Sequence, residues 1–83
     1  MNTVDFTSIA RVLLERQLAA FPEENQKYIA YGLQDSYQSR GHTSPTAFGY
    51  EYGNFSPKQR YFLSSISDAL MNLCIERFGE LNP

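Results

Sequence analysis

The sequence predicts a small all-α domain of three helices, with a long aromatic-rich loop between the second and the third. Apolar residues recur at three- and four-residue spacing over about 4–20, 22–40 and 57–78, the period of one helix face. Ser56-Pro57-Lys58-Gln59 spells a helix start: a cap hydroxyl, a ring whose φ is already helical, and a side chain able to reach back to the cap amide. The 83 residues leave room for a single domain, 1–83, and at that size folding buries only about 60–65% of the surface of the unfolded chain.

The first helix is expected over about 4–20, capped by Thr3 or Asp5 and stopped by Pro22, because the residue before a proline is pushed out of helical geometry. At 100° per residue Phe6, Ile9, Ala10, Leu13, Leu14 and Phe21 fall in one arc. Ser8, Arg11, Glu15 and Arg16 fall opposite, with Val12 and Leu18 at the edge of the polar arc, either extending the core or forming a second interface.

The second helix is expected over about 22–40, with Glu23 and Glu24 in the first turn, where the helix dipole favours negative charge, and Gly41 past its end. Ile29, Ala30, Leu33 and Tyr37 make a narrow core stripe. Tyr28 and Tyr31 project to the other side among Lys27, Gln34, Asp35 and Gln38, and are read as exposed; packing under the following loop is the competing reading. Gly32 costs roughly 1 kcal/mol relative to alanine inside a helix and is read as the mark of a close helix crossing.

The loop, 41–56, is long for a connection in so small a domain. Phe48, Tyr50 and Tyr52 alternate, so an extended backbone would place all three on one side, as a lid over the bundle or a surface for a partner. With Phe55, Tyr61 and Phe62 they gather six aromatic rings around the start of the third helix. That helix, over about 57–78, is the spine, near 33 Å long at about 1.5 Å per residue. Phe62, Leu63, Ile66, Ala69, Leu70, Leu73 and Cys74 share its core face. Met71, Ile75 and Phe78 lie on another side and either meet Val12 and Leu18 or form the seam of a homodimer, the reading favoured here.

For chemistry the sequence offers little, so no enzyme, no cofactor and no metal site is expected. Cys74 lies in an apolar stripe without a neighbouring base, His42 is the only histidine, and the carboxylates form no pair on an apolar face. Gly49 and Gly53 lack phosphate-loop spacing. No apolar run approaches the roughly 20 residues of a membrane span, and the early Asp5 with no basic stretch does not resemble a secretory signal, so a cytoplasmic location is expected.

Nine acidic and seven basic residues give a net charge of −2 with no block of either sign, which disfavours duplex binding. Tyrosine offers a rigid apolar face with a polar tip and is enriched at interface hot spots. The leading expectation is therefore a non-enzymatic module that binds a larger protein as an inhibitor, adaptor or assembly factor, in the manner of small phage or mobile-element regulators. Its contact residues would be Tyr28, Tyr31, Tyr50, Tyr52 and Arg60. Single-stranded nucleic-acid binding, with loop aromatics stacking on bases and Arg40, Lys58 and Arg60 on the backbone, is the first alternative. A purely structural homo-oligomer is the second.

Overall fold

The computed structural model describes residues 3–42 and 55–81, and within them the chain forms three α-helices: α1, Phe6–Leu18; α2, Gln26–His42; and α3, Pro57–Phe78. A 3-10 turn, Glu23–Asn25, leads into α2. The expected loop lid of Phe48, Tyr50 and Tyr52 lies outside the described residues.

Each helix start has a local cause. Asp5 caps α1, its carboxylate accepting hydrogen bonds from the Ser8 amide at 3.0 Å and the Ser8 hydroxyl at 2.7 Å, and those bonds hold its pKa below the ordinary carboxylate value. Before α3 the reciprocal capping box is complete. Gln59 N–H donates to the Ser56 hydroxyl at 3.1 Å, while Ser56 N–H donates to the Gln59 side-chain oxygen at 2.7 Å. Gly79 ends α3 with φ of 75° and ψ of −175°, a region open essentially to glycine alone.

α1 stops two residues before the expected position. Its last turn tightens, with Phe21 N–H on the Leu18 carbonyl at 3.1 Å, and the Gln26 amide reaches back to the carbonyls of Leu18 and Phe21 at 3.3 and 3.4 Å. Because the helix ends at Leu18, Phe21 leaves the apolar arc and is exposed, whereas Leu18, expected at the polar edge, is buried. Pro22 acts as the extended residue before the 3-10 turn, so Glu23 and Glu24 open that turn and the α-helix proper begins at Gln26.

Cross-links between elements fix the topology. Phe6 meets Tyr61 and Phe62, and Glu15 pairs with Arg77, so α1 and α3 run the same way. Gln34 of α2 bonds Ser67 in the middle of α3, and Tyr31, near the start of α2, reaches Gly79 beyond the end of α3; α2 is therefore antiparallel to both. The result is an up-down-up bundle in which α2 and α3 pair most extensively and α1 rests on both. Its core is Ala10, Leu14 and Leu18 from α1, Ala30 and Tyr31 from α2, and Ile66, Ala69, Leu70, Leu73 and Cys74 from α3.

Two polar contacts run through that core. Gln34, although polar, is buried, and its amide donates to the Ser67 hydroxyl at 3.0 Å and to the Gln38 side chain at 3.0 Å. A buried amide without such acceptors would be costly, so the pair fixes the register of α2 on α3 as well as filling space. The expected stripe of Ile29, Leu33 and Tyr37 is rotated in consequence. Those three are half-buried at the margin, and Ala30, Tyr31 and Gln34 face α3.

Gly32 does not mark a close crossing: it is exposed, and a Cβ added there meets nothing within 4 Å. Gly32→Ala is therefore expected to stabilise the fold by about 0.5–1 kcal/mol, since glycine gives up more backbone freedom on forming helix. A urea midpoint that fails to rise would show that the position has a packing role.

Candidate partner-binding surface

Among the described residues, an exposed aromatic grouping stands at the end of the bundle where α1 and α3 begin. The Asp5 cap places Phe6 in the first turn of α1, and the Ser56 capping box places Tyr61 and Phe62 in the second turn of α3. The rings meet edge to face, with centroid separations of 6.1 Å for Phe6 to Tyr61 and 5.6 Å for Phe6 to Phe62. Phe6 also packs against the core, but Tyr61 remains 67% exposed and Phe62 40% exposed. Phe62 was expected in the core. α1 begins only at Phe6, so among the described residues no further turn of helix lies beyond it to cover the ring.

Beside the cluster an open, mostly apolar recess of about 360 Å³ is lined by Phe55, Lys58, Gln59, Phe62 and Leu63. Arg60, an expected contact residue, is half-buried and donates from Nε to the Phe55 carbonyl at 3.3 Å, which ties the chain entering α3 to its first turn.

The expected tyrosine surface divides. Tyr28 is 68% exposed, as read from its position among polar neighbours. Tyr31 is not exposed: it is buried at 9% exposure, with its hydroxyl donating to the Gly79 carbonyl at 2.6 Å. The reason is the rotation of α2, which turns Tyr31 toward α3, and the positive-φ Gly79, whose carbonyl accepts the phenol. Tyr31 thus secures the end of α3. Tyr28 instead borders a shallow groove of about 420 Å³ with Gly32, Asp35, Met71 and Leu81, at the opposite end of the bundle from Tyr61. Tyr50 and Tyr52 lie outside the described residues.

The expected seam on α3 is also divided. Met71 and Phe78 are half-buried and pack on the protomer's own core, and the Arg77 guanidinium lies 5.5 Å from the Phe78 ring centre. Ile75 alone of the three is exposed. Phe62 was missed as a surface residue because helical periodicity reports which way a side chain points and says nothing of whether a neighbouring helix extends far enough to cover it.

Burial pushes the Cys74 thiol up from its ordinary pKa, and burial, followed by the nearness of Cys74 and Glu80, raises the Tyr31 phenol. Both groups hold their protons more tightly when folded, so stability should fall as pH rises: from about 8.5, where an unfolded thiol ionises, and further from about 10, where an unfolded phenol does. Urea midpoints across that range should decline more gently for Cys74→Ala and Tyr31→Phe than for the unaltered protein. Equal slopes would contradict the assignment. Among the described residues no three His, Cys, Asp or Glu side chains gather as a metal site, and no helix is long and apolar enough to cross a membrane.

The surface defines a class no narrower than a small three-helix bundle with an exposed aromatic end. No protein-family model matches the chain, and neither a curated protein nor a solved structure is significantly similar to it.

Proposed function

We propose that the chain is a non-catalytic protein-binding module, acting in the cytoplasm as an inhibitor, adaptor or assembly factor, and that it docks a larger protein through the Phe6, Tyr61 and Phe62 cluster. The observation that carries this reading is the exposure of Tyr61 and Phe62 beside an open apolar recess. Aromatic rings held rigid by one another lose little conformational freedom on binding and supply large apolar area, the properties of interface anchors. Lys58 and Gln59, which also line the recess, provide a polar border of the kind that surrounds such anchors.

The test is affinity capture from extracts of the cells that make the protein, with the unaltered chain, Tyr61→Ser/Phe62→Ser and Tyr28→Ser as baits, with and without nuclease and at two salt concentrations. A protein retained by the unaltered chain and by Tyr28→Ser, lost with Tyr61→Ser/Phe62→Ser, insensitive to nuclease and nearly insensitive to salt supports the reading. A partner that disappears with nuclease or with salt identifies nucleic acid instead. Loss only with Tyr28→Ser moves the site to the opposite end of the bundle.

A further inference from the structure

The outward face of α1 carries an apolar patch, centred on Val12, that the other described residues leave open. Ser8, Ile9, Val12 and Leu13 line an open recess of about 310 Å³, with Val12 51% exposed and Ile9 and Leu13 half-buried and packed in part on the protomer's own core. The core side of the same helix is Ala10, Leu14 and Leu18, so Val12 points away from both α2 and α3.

Along that face the order is Asp5, Ile9, Val12, Arg16, an acid and a base bracketing two aliphatic residues at spacings of four, three and four. This is the spacing of a coiled-coil seam. It is also the same read backwards. If two copies of α1 lie antiparallel about a twofold axis between residues 10 and 11, Ile9 meets Val12 of the other copy and Ser8 meets its Leu13. Asp5 at each end then meets the other copy's Arg16. A parallel pairing would instead set Asp5 on Asp5 and Arg16 on Arg16. The charge order therefore selects the partner and its direction. Both charges are exposed, and among the described residues Arg16 takes part in no ion pair, while the nearby Glu15 is engaged by Arg77.

We propose that the outward face of α1 is a self-association surface, on which a second copy of this chain packs its own α1 antiparallel, with Ile9 and Val12 at the centre and Asp5 to Arg16 pairs at both ends. The seam spans eleven residue steps, about 16 Å at 1.5 Å per step. So short a contact gives a concentration-dependent monomer–dimer equilibrium of the weak, transient kind. This inference is independent of the partner surface, whose exposed rings Tyr61 and Phe62 belong to α3.

Light scattering coupled to size exclusion, loaded from about 5 to about 500 μM, reads the equilibrium directly. The unaltered chain should move from 9.5 kDa toward twice that mass, and Val12→Glu, at an exposed position, should remain at 9.5 kDa while retaining the circular dichroism of the unaltered protein. The direction is tested through the charges. Arg16→Glu sets like charges across the seam and should be monomeric, whereas adding Asp5→Asn, which keeps a capping side chain on Ser8, removes that repulsion from an antiparallel pair and should recover the dimer. Ile75→Glu should leave the dimer intact. A chain that stays at 9.5 kDa throughout overturns the proposal, as does a dimer unaffected by Val12→Glu, a dimer abolished by Ile75→Glu, or a folded Asp5→Asn/Arg16→Glu variant no more dimeric than Arg16→Glu.

Discussion

Leu70→Ala is expected to destabilise the fold by about 2–5 kcal/mol, the cost of deleting a buried leucine side chain and leaving its space partly unfilled. Leu70 is completely buried in the spine, among α3 residues that face both other helices, so no surface side chain can move in to replace it. A domain of this size has about 4–12 kcal/mol in total. With a urea slope of about 1 kcal/mol per molar, the midpoint followed by circular dichroism should fall by roughly 2–5 M, and at the low end of that total the variant is partly unfolded before denaturant is added. A fall below about 0.5 M would mean that the three helices do not converge on Leu70.

Ser67→Leu should be nearly as damaging, by about 2–4 kcal/mol, for a different reason. Ser67 is 1% exposed beneath α2, where its small hydroxyl lets the helices approach and accepts the Gln34 amide. Leucine there overfills the contact and deprives a buried amide of one acceptor, two penalties of about 1–3 kcal/mol each that overlap in one site. Adding Gln34→Ala should recover at least about 1 kcal/mol, because it removes the stranded amide and opens space for the leucine. If Ser67→Leu and Gln34→Ala prove additive in their losses, the two side chains do not share a site and the register assigned to α2 is wrong.

The parts of this fold legible in the sequence are those fixed by local chemistry. Ser56, Pro57 and Gln59 set the start of α3 by bonds within four residues, and both of its ends, Pro57 and Phe78, fall where the pattern places them. The Asp5 cap is equally local, although the sequence left Thr3 as an alternative and α1 begins at Phe6, two residues after the expected start. What the pattern misplaces depends on contacts across the bundle. Leu18 joins the core and Phe21 leaves it because α1 stops where Gln26 takes its terminal carbonyls, a bond eight residues away in sequence. α2 presents Ala30, Tyr31 and Gln34 to α3 because Ser67 and the Gly79 carbonyl accept their polar groups, and a hydrophobicity pattern ranks Gln34 and Tyr31 below Ile29 and Leu33 for burial. The surface was legible to the same degree. The gathering of aromatics around the start of α3 is plain in the sequence, but which rings stay uncovered depends on where α1 begins in space.

Site-specific photo-cross-linking tests the central claim, that the aromatic end of the bundle is where a larger protein docks. A photoreactive phenylalanine analogue is placed at Tyr61, at Tyr28 or at the exposed Asp68, and the protein is irradiated in the cells that make it. Position 61 should give a discrete protein adduct, and positions 28 and 68 none of comparable yield. Adducts from position 28 but not 61, or adducts from position 61 that are nucleic acid, would contradict the claim.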